Sequence, residues 1–323
     1  MYLPIFSRQL WSPVAMRSRI KFSGGVNDWI VAGGWSIALP VTKKGASLFV
    51  HDSDHFAEAM INDAMRLSTA AFESARAVGV YGADPRSFAW QFISYYYAAY
   101  FAANALMRLC GYSCTNFSSV ECTAINEIAS LCGEGGSSEK SKISPGVFFT
   151  SLNTSGSATW SLSSVSSKGG VHIQFWTGFL KFLLELRSHI VSSSLPKTDR
   201  DAAIDELDKL IGGLKHSGAQ TGAWLSEVRN AMNYRLEYGA WYPYSNAETD
   251  GDNLLTILKS AIDDSASLPQ TSQVLSSPVR ATRITSFMLS WLRLSLVTLA
   301  ASTSGSKRKA IFEGPLLIAS KIG

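Results

Sequence analysis

From Ser87 to Met107 the chain reads SFAWQFISYYYAAYFAANALM without one charged residue, and this run limits the architecture more than any other stretch. Wound as a helix it has no water-facing side, so it must be enclosed by protein or by lipid. Gln91, Ser94, four tyrosines and Asn104 favour protein. Ile284 to Ala301 is also apolar, but it is short for a bilayer and carries Arg293 near its centre, so it reads as a second buried helix. Ala98, Ala99, Ala102, Ala103 and Ala105 let neighbouring helices approach closely. The expectation is a mainly α protein that is not inserted in a membrane.

At 323 residues, 46% hydrophobic and 17% charged, the chain is globular and long enough for a sizeable core. A net charge of +4 is too small for the basic stripe of a duplex-binding domain, so any nucleic-acid contact must be local. Cys110, Cys114, Cys122 and Cys132 match no zinc spacing and have no histidine among them. Cys122, Ile125, Ala129 and Cys132 recur at helical spacing, which predicts reduced, core-packing thiols in a cytoplasmic protein. The first residues interleave apolar and basic side chains without the ordered regions of a signal peptide.

Residues 1–51 read as an extended or β leader, with β-prone runs at Trp29 to Ala32, Trp35 to Leu39 and Ser47 to Val50. Residues 52–265 carry helical periodicity: Asp52 to Gly79, Pro85 to Cys110, Val120 to Leu131, Val171 to Ser192, Asp199 to Leu214, Ala219 to Tyr238 and Ala247 to Ser265. Within them, 133–170 is rich in Ser and Gly and is expected to be a loop or a small hairpin. Residues 266–323 hold a connector, an accessory helix from Val279 to Ser302, a basic triplet Lys307-Arg308-Lys309 read as a solvated turn rather than a nucleic-acid anchor, and a strand-like Leu316 to Ala319.

The segment Glu227 to Tyr244, EVRNAMNYRLEYGAWYPY, is the candidate site. At about 100° per residue, Leu225, Val228, Met232 and Leu236 share an apolar stripe, while Arg229, Asn230, Asn233 and Tyr234 fall on an adjoining polar arc. A guanidinium at such a seam suits phosphate contact or the fixing of a helix interface. Trp241, Tyr242 and Tyr244 around Pro243 either plug the end of a bundle or stack on nucleotide bases.

YYYAAYFAANALMRLCG at Tyr95 to Gly111, with the Arg-Asn helix much later, resembles the HEPN family, named for higher-eukaryote and prokaryote nucleotide-binding domains. Asn233 to Tyr244 is similar to bacterial branches of that family found near defence or toxin-antitoxin genes. The resemblance covers roughly Asp52 to Ser265 and implies an up-and-down helical bundle, a homodimer and metal-independent RNA cleavage without a cofactor. It makes Arg229, Asn230 and Tyr234 the catalytic candidates, with Tyr234 standing where family members carry histidine. Asn233, Arg235, Trp241 and Tyr242 become substrate-contact candidates. Turning a free tyrosine into a base at neutral pH costs about 4 kcal/mol, so Tyr234 is expected to donate a hydrogen bond, position the 2′-hydroxyl or stack on a base. Packing at a dimer seam is the structural alternative.

His172 or His216 could replace the missing histidine in space. A silent HEPN-like module that dimerises or docks an operon-encoded partner is the alternative function. His51 and His55 flank Asp52 and Asp54, which helix capping explains without a metal. No phosphate-binding Gly-rich loop with Lys-Ser/Thr, Gly-x-Ser-x-Gly elbow or His-Glu-x-x-His is present in the sequence.

Overall fold

The computed structural model describes residues 24–38, 40–80, 88–133, 142–153, 157–165, 169–245, 249, 251–260, 268 and 273–322. Among them helix predominates, beside one five-stranded antiparallel sheet. The helices are α1 (Val26–Ala32), α2 (Ser53–Val80), α3 (Ala89–Leu109), α4 (Ser119–Leu131), α5 (Val171–Val191), α6 (Lys197–Leu214), α7 (Trp224–Tyr234), α8 (Gly251–Ser260), α9 (Ser277–Ala301), α10 (Gly305–Ile311) and α11 (Leu317–Ala319). The strands are β1 (Trp35–Ile37), β2 (Gly45–Val50), β3 (Tyr112–Phe117), β4 (Gly146–Asn153) and β5 (Thr159–Ser164). Two compact units divide the chain. One holds Met65–Leu106 and Leu183–Gly323, and the other holds the described residues up to Ala64 with Met107–Phe182.

The sheet unit has strand order β1-β2-β5-β4-β3. Alternation sends Leu48, Trp160 and Phe148 into a core with Trp29, Phe56 and Phe117. Trp29, Phe56 and Trp160 meet edge to face, with centroids between 4.7 and 5.7 Å apart. Phe149, on the other face of β4, packs against Tyr112, and the Lys181 ammonium lies 4.2 Å from its ring centre. Gly178 of α5 is required by close approach, since a Cβ there would stand 2.7 Å from the Cys114 sulfur.

Asp63 ties several pieces of this unit together. Its Oδ2 accepts from the Val26 N–H at 3.1 Å and from Arg108 Nε at 3.2 Å, and Arg108 Nη2 also donates to the Thr115 hydroxyl at 2.8 Å. Gly25 lies so near Asp63 that any Cβ would collide with the carboxylate. The helical unit is organised on α9, against which α6, α7, α8 and α10 pack. Its most apolar window is long and apolar enough to cross a membrane, and 72% of that window is buried inside the protein. The Tyr95 hydroxyl of α3 meets Ser286 of α9 at 2.5 Å, and burial pushes its pKa up, partly offset by that hydrogen bond.

Several sequence expectations are corrected. Trp29 to Ala32 is helical, because Asp28 and Gly25 close the first turn of α1 and Trp29 and Ile30 turn into the core. The tail Leu316 to Ala319 is not a strand: a π turn over Phe312–Leu316 runs directly into α11. The basic triplet lies on α10 with Lys307 buried, rather than in a solvated turn. Strand β3 was not foreseen, whereas the Ser/Gly-rich stretch supplies the β4–β5 hairpin in the middle of the sheet. Asp52 caps α2 by accepting from the Asp54 and His55 N–H groups, as expected. The expected helix start near Pro85 and both expected ends of the Ala247 to Ser265 helix lie outside the described residues.

Cys110, Cys114 and Cys122 are buried and Cys132 is exposed. Burial pushes the Cys110 thiol up, Cys114 up to about 12 and Cys122 up to about 11. In the native protein Cys132 alone should react quickly with a thiol reagent, which mass mapping after a brief pulse will read. Removing the half-buried partner of the buried Arg108 by Asp63→Ala should lower stability by about 3 kcal/mol in chemical denaturation, and Arg108→Met in that background should restore most of it.

Candidate functional site

Helix α7 starts beyond Gly222, whose φ of 78° breaks the preceding backbone, and it is shorter at both ends than the sequence suggests. Trp224, Leu225, Val228, Ala231 and Met232 form its buried face. Leu236, expected on that stripe, lies past the helix end and is exposed. The termination is built from unusual backbone: Leu236, Tyr238 and Tyr244 all adopt positive φ, as does Gly239. A left-handed residue other than glycine costs about 1–2 kcal/mol, so tertiary contacts must hold these. Two such contacts satisfy last-turn carbonyls: the Glu237 N–H donates to Ala231 at 3.1 Å, and the Trp241 indole N–H donates to Met232 at 2.9 Å.

Arg229 is only 5% exposed, so it lies inside the seam rather than on its rim. Its Nη1 donates to the Asn230 side-chain oxygen at 2.9 Å and contacts the Tyr234 hydroxyl at 3.5 Å. Three rings surround the guanidinium carbon, with centroids at 5.1 Å for Tyr96, 5.8 Å for Tyr234 and 6.0 Å for Tyr97. Their faces replace part of the lost hydration. Nε is buried without a hydrogen-bond partner, and among the described residues none of the hydrogen bonds or ring contacts of Arg229 involves a carboxylate or a histidine.

The structure thus brings Arg229, Asn230 and Tyr234 together. Tyr234 is 72% exposed, while Asn233 is half-buried. Arg235 points elsewhere, in an exposed ion pair with Glu237 at 2.9 Å. Trp241 is half-buried and works as a buckle through its bond to Met232, and its ring meets Trp90 edge to face at 5.7 Å. Tyr242 is 85% exposed. His216 packs on Trp224 at 4.9 Å rather than on Arg229. Among the described residues no three His, Cys, Asp or Glu side chains group as a metal site.

Nothing local in the sequence marks Tyr96 and Tyr97 as neighbours of Arg229, or Trp90 as a neighbour of Trp241. The available signal was the triple tyrosine in the charge-free run Ser87 to Met107, since buried phenols and ring faces need polar or cationic company. No protein-family model matches the chain, and comparison with curated proteins and with solved structures finds no match.

A buried guanidinium that lacks a carboxylate contributes little to stability. Arg229→Met should therefore change the unfolding free energy by less than about 1 kcal/mol or raise it. A loss above about 3 kcal/mol in urea titration would make the tyrosine cage a structural device instead.

Proposed function

We propose that the protein is a HEPN-like RNA-targeting protein of a bacterial defence or toxin-antitoxin module, working in the cytoplasm as a homodimer. Arg229 with Asn230 contacts an RNA phosphate, and Tyr234 acts beside them. The observation that carries the reading is the Arg229 guanidinium itself: it is held by rings, pairs with no carboxylate among the described residues, leaves Nε unpartnered, and touches the hydroxyl of an exposed tyrosine. A positive charge in poor solvent without a neighbouring anion favours an incoming one.

In the cleavage reading, the ribose 2′-oxygen bonds to the adjacent phosphorus and gives its proton to solvent. The bond from phosphorus to the 5′-oxygen breaks, and that oxygen takes a proton from Tyr234, which is replenished from water. Arg229 stabilises the charge on the five-coordinate phosphorus. The products are a 2′,3′-cyclic phosphate and a 5′-hydroxyl. Asn233, Trp241 and Tyr242 are proposed to border the RNA path, with Tyr242 offering an open ring for base stacking. Arg235 is a weaker candidate for contact because Glu237 already neutralises it.

One observation favours a second reading. Arg229 is nearly enclosed within its own chain, while Tyr234, Leu236 and Tyr242 are exposed beside it, an arrangement suited to a silent HEPN-like module that dimerises or docks a partner protein.

Labelled RNA incubated with the purified protein and a chelator separates the two. Cleavage ending in a 2′,3′-cyclic phosphate should fall about a hundredfold or more in Arg229→Ala and clearly in Tyr234→Phe. A wild-type protein that leaves varied RNAs intact would decide for the silent module.

A further inference from the structure

Arg280 is 3% exposed and stands in the first turn of α9. Its Nη2 donates to the carbonyl of Gln273, upstream of the N-cap Ser276, so the guanidinium folds back past the start of the helix. Nε has no hydrogen-bond partner, and no carboxylate pairs with the side chain among the described residues. Ser276 is equally unusual. An N-cap serine ordinarily accepts from the first turn, yet this hydroxyl makes no capping bond and is buried without any partner.

Pro278 has no N–H, and the N–H groups of Ser277 and Val279 have no acceptor within the helix. His216, from the short turn His216–Gly218 after α6, feels this charge. Burial first, and then Arg280, hold its pKa below the ordinary histidine value. The start of α9 therefore gathers a full positive charge, the positive end of a long helix dipole and several idle donors, in a place poorly reached by water.

We infer that the start of α9 binds a phosphate group, either free phosphate or a phosphomonoester, through the Arg280 guanidinium, the Ser276 hydroxyl and the free N–H groups of Ser277 and Val279. A dianion with several oxygens matches both the charge, about one and a half units with the helix dipole included, and the number of donors better than a carboxylate does. The site uses none of the side chains of the Arg229 cluster, so the inference is independent of any action on RNA.

Titration calorimetry and thermal melting of the full chain test this, with ionic strength held constant by chloride. Wild-type protein should bind inorganic phosphate saturably and melt higher as it does so. Glycerol 3-phosphate binding at the same stoichiometry would point to a phosphomonoester, and binding of phosphate alone to the free ion. Acetate should bind at least about tenfold more weakly.

Arg280→Met should abolish phosphate binding while keeping or raising the melting temperature without phosphate. Ser276→Ala should weaken binding, and Ser276→Asp, which supplies a carboxylate in place, should prevent it and raise the melting temperature. If Arg280→Met does not fold, the two Ser276 variants decide. Arg229→Ala should bind phosphate normally. Absence of saturable binding to the wild type, binding unchanged in the Arg280 and Ser276 variants, or binding lost in Arg229→Ala alone would each overturn the inference.

Discussion

A guanidinium removed from water needs an anion or a close substitute, and the way the chain meets that demand at Arg108, Arg229 and Arg280 shapes both of its units. Arg108 has Asp63, and that pair also holds the first N–H of α1 and, through Thr115, the edge strand β3. Charge, hydrogen bonds and packing agree there, as in a part of the fold whose role is structural. Arg229 has three tyrosine rings and a neighbouring amide, and Arg280 has one carbonyl and a helix end. Neither arrangement neutralises the charge.

This contrast gives α7 its functional interest more than its likeness to any motif does. The helix end combines an incompletely satisfied cation with an exposed phenol and a sequence of left-handed residues, and backbone of that kind persists only where surrounding contacts enforce it. The Trp241 buckle provides much of the enforcement, since it ties the loop to the last turn of α7 while Trp90 backs its ring. The aromatic segment therefore divides in two: Trp241 closes the helix end and Tyr242 remains exposed.

The long helices were legible because their apolar faces recur every three or four residues over many turns, and capping residues such as Asp52 mark where they begin. Short elements were not. Trp29 to Ala32 has strand-forming residues, but one turn of helix places Trp29 against Phe56 and Trp160, and that packing outweighs propensity. Leu316 to Ala319 reads as a strand only until it is seen to continue the helical turn before it. Strand β3 is spelled YSCTNF, too polar to stand out until β4 lies beside it.

At the site, helical winding alone puts Arg229, Asn230, Asn233 and Tyr234 on one polar arc, because the order of side chains around a helix does not depend on the rest of the fold. By itself the sequence determined a mainly α chain with long buried helices, a Ser/Gly-rich interruption among them, and a polar arc holding Arg229, Asn230 and Tyr234. Only the tertiary structure decided that Arg229 is enclosed by Tyr96 and Tyr97, that Arg235 pairs with Glu237, that His216 packs on Trp224, and that Arg280 has no carboxylate beside it among the described residues. Those outcomes depend on which distant segments meet, and the local periodicity of a sequence carries no record of such meetings.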